Sequence, residues 1–171
     1  MWERWDGHGM ERVCVAVDPH GVFADSDLLT PDNVRAHFRV RCDGEWRTRH
    51  VEVTVRGDPP RILRLDADGE GRWTGHPELD GCIDVDIYPS PFTNSLPIRR
   101  LGAGGETTAA WVRIPELAVE PLRQRYTPLS GSRWRYEALD SEFVTEFEVD
   151  EHGLVIDYPE LARRMEPHSA Q

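Results

Sequence analysis

The residues with the most chemical potential lie between Leu79 and Tyr88, in the run LDGCIDVDIY. Ile83, Val85 and Ile87 alternate with Cys82, Asp84, Asp86 and Tyr88, the period of a strand with one apolar and one polar face. Side chains two apart on a strand stand roughly 7 Å apart, so Asp84 and Asp86 are neighbouring carboxylates and Asp80 extends their row. Like charges this close raise one another's pKa unless solvent, arginine or hydrogen-bond donors hold the ionised forms. Three chemistries fit: a solvated outer sheet face, an acidic patch accepting sugar hydroxyls, or a catalytic carboxylate pair. The residues alone favour the solvated face. The catalytic pair is the weakest, since one strand does not readily place an acid and a nucleophile on opposite sides of a glycosidic bond.

Arginine and aromatic residues interleave elsewhere: Arg39, Arg41, Trp46, Arg72, Trp73, Arg125, Tyr126, Trp134 and Tyr136. Aromatic faces suit sugar rings and arginine suits phosphate or carboxylate, although cross-strand pairs on a sheet surface are the plainer account. The seven histidines are scattered and none shares metal-ligand spacing on one element. A two-residue turn at Asp43-Gly44 would set His37 opposite His50, a weak two-histidine arrangement and more simply a surface pair. No nucleophile elbow, phosphate-cradling glycine loop or dinucleotide fingerprint is present. The expectation is therefore no catalytic residue, no metal and no cofactor.

The elements that must carry these groups are short alternating runs bounded by Gly, Pro, Asp and Asn. Val34-Ala36-Phe38-Val40-Cys42 alternate with Arg35-His37-Arg39-Arg41, and Asp43-Gly44 reads as a two-residue hairpin turn. That turn predicts Cys42 opposite Glu45, Arg41 opposite Trp46, Arg35 opposite Glu52, Ala36 opposite Val51 and Val34 opposite Val53. Asp68-Gly69 reads as a similar turn, with Glu70–Thr74 as its return strand. Further strands are expected at 12–17, 21–25, 82–87, 108–114, 119–127, 133–138, 143–149 and 154–157. One helix is expected at Asn94–Leu101, with Asn94 or Ser95 as cap, Pro97 in its first turn and Gly102 beyond. A second, short helix is expected at Pro159–Met165, and a frayed tail over 165–171. Such a pattern predicts an all-β fold, a long antiparallel sheet rolled around a single short helix.

The chain has 171 residues, the length of one domain spanning 1–171. Its 31 acidic residues face 20 arginines and no lysine, giving a net charge of −11. That balance argues against nucleic-acid binding and against docking on anionic membrane. No apolar run reaches the ~18 residues a span needs, so no stable membrane insertion is expected. Cys14, Cys42 and Cys82 are read as reduced, buried thiols of a cytoplasmic protein.

Five stretches carry a family resemblance: VRCDGEWRT at 40–48, PELDGCIDVD at 77–86, PFTNSLPIRRL at 91–101, VEPLRQRYT at 119–127 and GLVIDYP at 153–159. Through them the chain resembles a bacterial family described as putative glycolipid-binding, formerly a domain of unknown function. The resemblance implies a spiral β-roll like that of lipoprotein carriers, pairing into a homodimer, with an acidic pocket. It turns the balance for Asp80, Asp84 and Asp86 from solvated face to pocket. With Asn94, Arg99, Arg41, Trp46 and Tyr126 they make up the candidate ligand-binding residues. Two functions follow. The first is non-catalytic binding of a glycolipid-like amphiphile, with an apolar interior for acyl chains and a polar mouth for the head group. The second is a carboxylate-dependent enzyme of glycolipid metabolism.

Overall fold

The computed structural model describes residues 1–165. Thirteen strands and one helix follow in order: β1 (Trp2–Arg4), β2 (Met10–Asp18), β3 (Gly21–Leu29), β4 (Arg35–Asp43), β5 (Thr48–Val55), β6 (Arg61–Asp66), β7 (Asp84–Tyr88), α1 (Ser95–Leu101), β8 (Gly105–Arg113), β9 (Ala118–Pro128), β10 (Arg133–Ala138), β11 (Val144–Val149), β12 (Val155–Tyr158) and β13 (Ala162–Arg164). All strands join one sheet in the order β6-β5-β4-β3-β2-β1-β13-β12-β11-β10-β9-β8-β7. The all-β expectation holds, with one short helix and a sheet that does not close into a barrel. No helix among the described residues is long and apolar enough to cross a membrane.

Every pairing is antiparallel except β7 with β8. The chain leaves β7 and passes through α1 before β8, and a crossover of this kind returns a strand in its original direction. The sheet is therefore mixed, not wholly antiparallel. It curls until its two ends approach. The Thr48 N–H donates to the Ile83 carbonyl at 3.1 Å, and the Thr48 hydroxyl accepts from the Val85 N–H at 3.0 Å.

Alternation along the strands builds two cores. Ala36, Phe38, Val40, Val51 and Val53 meet Val85, Ile87 and Leu96 in an aliphatic core. Tyr126, Trp134, Tyr136, Phe147 and Tyr158 meet Ile98 in an aromatic one. Phe147 and Tyr158 stack at 5.1 Å between ring centroids, and Tyr126 meets Tyr136 edge-on at 5.3 Å. The helix serves both cores because Leu96 and Ile98 leave it on different faces.

Several local expectations are corrected. The Asp43-Gly44 turn is not two residues long. Asp43 Oδ1 accepts from the Glu45 and Arg47 N–H groups, both at 3.0 Å, and the Asp43 carbonyl accepts from Trp46 N–H. Trp46, not Gly44, takes the left-handed conformation, φ 66. The wider turn shifts the register, so Ala36 faces Val55, Arg39 faces Glu52 and Arg41 faces His50, with a bulge at Arg41/Cys42. His37 thus faces Thr54 and bonds Asp25, while His50 bonds Asp66, which dissolves the two-histidine arrangement. The same Asp-centred turn recurs at Asp68 and Asp150, with Gly71 and Gly153 where Trp46 stands.

Glu70–Thr74 is not a strand, and only an isolated bridge joins Ala67 to Trp73. The expected helix over Pro159–Met165 is instead the strand β13, drawn into the ladder between β12 and β1. Of the expected frayed tail, residues 166–171 lie outside the described residues. Met165 is tied down, donating its N–H to the Met1 carbonyl at 2.9 Å. Cys42 and Cys82 are buried thiols, but Cys14 is exposed because it points outward from β2.

Candidate functional site

The alternation read in β7 places its two acids as expected and gives them different surroundings. Asp84 is wholly buried. Arg100 grips it with Nε donating to Oδ1 at 3.1 Å and Nη2 to Oδ2 at 2.5 Å. The Thr107 hydroxyl adds a bond to Oδ2 at 2.6 Å. With these partners Asp84 is a structural ion pair. Asp86 accepts from the Thr93 hydroxyl at 3.1 Å and from Gln124 Nε2 at 2.6 Å. Burial pushes its carboxyl up to about 6, and the bonds from Thr93 and Gln124 only partly offset this.

Asp86 opens onto a cavity of about 810 Å³ on the aromatic side of the roll. That volume suits a sizeable small molecule. Its floor includes the buried Ser90, Asn94 and Tyr136 and the half-buried Asp86. Its lip is exposed and mixed, with Tyr88 at 46%, Phe143 at 49% and Val144 at 54% beside the charged Glu120, Asp140 and Glu160. The cavity lies on the face of β7 that carries the acids. The reason lies in packing, since the aliphatic core fills the other side of β7 and leaves the cavity to the face that carries the acids.

A buried network holds the floor in place. Gln124 Nε2 also donates to the Tyr136 hydroxyl at 3.1 Å. The Tyr126 hydroxyl is within bonding distance of Asn94 Oδ1 at 3.0 Å and Gln124 Oε1 at 3.3 Å. Burial drives the Tyr126 phenol well above its ordinary pKa, so it is a donor at neutral pH. Behind the wall, Glu11 is buried, with the Ser26 hydroxyl at 2.9 Å and the Ser90 hydroxyl at 2.8 Å from Oε1. Burial lifts the Glu11 carboxyl to about 7.

Of the candidate residues, Asp86 and Asn94 line the cavity. Tyr126 and Asp84 stand behind its floor in the supporting network. Asp80 is exposed past the turn Pro77–Leu79, away from the cavity. Arg41 is exposed with its guanidinium 5.5 Å from the Phe23 ring. Arg99, a candidate ligand-binding residue, lies 5.1 Å from the Trp46 ring, while its neighbour Arg100 pairs with Asp84, because neighbouring helix residues point about 100° apart. Arg4, Ser90, Phe143 and Tyr158 line the cavity without having been foreseen, and Tyr136, from the arginine–aromatic pattern, lines it too. Apart from Tyr136, only Glu11 left a trace in the sequence, as the one acid on the Val13-Val15 face of β2.

A curled sheet of thirteen strands around one short helix, with a ligand-sized cavity of mixed lining, defines an all-β roll. The family model described as "Putative glycolipid-binding" matches residues 1–164, and the chain belongs to that family. It is similar to a crystal structure of a DUF1089 family protein from Pseudomonas aeruginosa, at 36% identity and a TM-score of 0.78, over 91% of this chain and 92% of that one. No curated protein matches the sequence.

Proposed function

We propose that this protein binds an amphiphile with a sugar head group, holding the head on the polar floor of the cavity and the first methylenes of the tail against its lip. The observation that carries this reading is the mixed lining of the cavity. Asp86, Asn94 and Tyr136 bring polar groups to it, while Tyr88, Phe143 and Val144 offer exposed apolar surface at the entrance. A carboxylate accepts sugar hydroxyls strongly, and each methylene removed from water contributes about 0.8 kcal/mol. Family membership supports the same ligand class.

The enzymatic reading has one observation in its favour. Asp86, lifted to about 6, titrates where a general acid must. Against it, Asp84 is committed to Arg100, and the lining carboxylates Glu120 and Asp140 are paired with Arg113 and Arg123. A single titration separates the two. Parent and Asp86→Asn are mixed with a panel of glycolipids, following binding by calorimetry and products by mass spectrometry. Binding weakened in the variant, with no product from either, supports the carrier. Hydrolysis by the parent alone supports the enzyme. Unchanged affinity removes Asp86 from the site.

A homodimer and a cytoplasmic location belong to the same proposal. The free edge of β6, with Ile62 exposed, supports the first. Three free cysteines, one of them exposed, suit a reducing compartment.

A further inference from the structure

Arg4 is the cationic side chain lining the cavity. Its placement follows from register. Arg4 on β1 faces Ala162 on β13, and Ala162 faces Tyr158 on β12, so the row Arg4-Ala162-Tyr158 shares the inner face of the roll. Tyr158 lines the same cavity. The arginine stem threads past Gly9, where a Cβ would sit 2.8 Å from Arg4 Cδ. Gly9 also has φ 137, a conformation that favours glycine, so the backbone there leaves room for the stem.

The guanidinium is under-used. Only 14% of the Arg4 side chain is exposed. Nη2 reaches Asp6 at 3.3 Å, yet Nε and Nη1 are buried with no acceptor. Among the described residues these are the only buried side-chain nitrogens without a partner. Nε carries one N–H and Nη1 two, and buried donors of this kind ordinarily have partners. Most acidic groups nearby are committed elsewhere. Asp140 is held by Arg123, Glu120 by Arg113, and Glu11 by Ser26 and Ser90. Asp86 accepts from Thr93 and Gln124. Glu160 is exposed at the margin.

We infer that Arg4 is an oxyanion-binding residue, and that the ligand of this cavity carries a phosphate or carboxylate beside its sugar. Guanidinium geometry suits both groups. The inference rests on the amphiphile-binding reading and adds a charge to the ligand class. Asp86 and Arg4 then divide the head group, hydroxyls to the carboxylate and oxyanion to the guanidinium.

The test is calorimetric titration of the parent, Arg4→Gln and Arg4→Lys with dodecyl glucoside, the same glycoside bearing a 6-phosphate, and inorganic phosphate. The parent should bind the phosphorylated glycoside about tenfold or more tightly than the neutral one, as a charge-assisted contact outweighs a neutral one. Arg4→Gln should erase that preference. Arg4→Lys should keep part of it, since the charge remains and the fork does not. Equal affinity of the parent for both glycosides overturns the inference while sparing the amphiphile reading, and needs no variant to fold. A preference that survives Arg4→Gln also overturns it. Inorganic phosphate binding as tightly as the phosphorylated glycoside, and lost in Arg4→Gln, supports the oxyanion site but overturns the amphiphile reading. No binding of any probe overturns both.

Discussion

Asp84 and Asp86 stand two residues apart on one strand, and only one of them is spent. Asp84 is closed off by Arg100 and Thr107, whereas Asp86 keeps a face on the cavity. Substituting each should separate stability from binding. Asp84→Asn leaves the Arg100 guanidinium without its counter-charge in a buried setting, which costs about 3–5 kcal/mol when such a pair is broken. Chemical denaturation should show that loss for Asp84→Asn. Asp86→Asn should hold its midpoint within about 1 kcal/mol of the parent, in the range of a modified neutral hydrogen bond, while losing affinity.

Glu11 gives the fold a pH dependence of known sign. Burial raises its folded pKa from 4.5 to about 7, so the folded chain holds the proton more tightly than the unfolded chain does. Unfolding releases that proton across the window, and the contribution of Glu11 to stability falls as pH climbs from about 4.5 to about 7. Glu11→Gln cannot ionise. Its stability relative to the parent should rise through that window, with a ceiling of about 3 kcal/mol. Melting curves of both proteins at pH 4.5 and pH 7.5 measure the difference. A constant offset would show that Glu11 does not titrate there.

The Asp43 turn makes an unusual demand on its sequence. Gly44 has no left-handed φ, and a Cβ there would meet only the Pro19 carbonyl at 3.3 Å. Gly44→Ala should therefore be nearly neutral. Asp43→Ala strips the acceptor from two backbone N–H groups and should cost about 1 kcal/mol, the usual price of losing a capping side chain. Thermal unfolding of the two variants ranks them directly.

Phe143 at the lip is half exposed and edges onto Tyr136 at 6.0 Å between centroids. Phe143→Ser should leave the melting temperature nearly unchanged. It should weaken a dodecyl glycoside by about 1 kcal/mol or more, reflecting apolar area the tail no longer covers. Affinity independent of Phe143 would move the tail off this lip.

For the proposed dimer, light scattering at micromolar concentration should return twice the chain mass of 19.6 kDa. If β6 forms the interface, Ile62→Arg should halve it, since a charge on an edge strand opposes pairing. A parent that scatters as a monomer excludes the dimer.

The sheet was legible where alternation is long. Ala36 to Cys42 and Ile83 to Ile87 declare their faces, and both were assigned to the right ones. Register was not, because Asp-Gly signals a tight turn by its backbone while the Asp43 side chain favours a wider one. The strands β1 and β13 are too short for any period to register. Their existence depends on each other, and β13 reads locally as a helix. Arg4 was hidden for the same reason, since it faces inward only once β1 has found β13. The pairing of Arg100 with Asp84 could not be told from Arg99, one position along a helix whose rotation the sequence does not state.

The middle of the sheet is the seam between β1 and β13, where residues from opposite ends of the described chain lie side by side. Trp2 and Trp5 lock that seam by donating their indole N–H groups to the carbonyls of Val155 and Tyr158. The candidate cavity takes Arg4 from one side of the seam and Leu161 from the other. During synthesis on the ribosome, then, the first strand must wait unpaired on one flank for more than a hundred residues before its partner emerges. Both half-sheets can order early, but Arg4 joins the cavity wall only when β1 meets β13, so this corner of the cavity is completed late in folding.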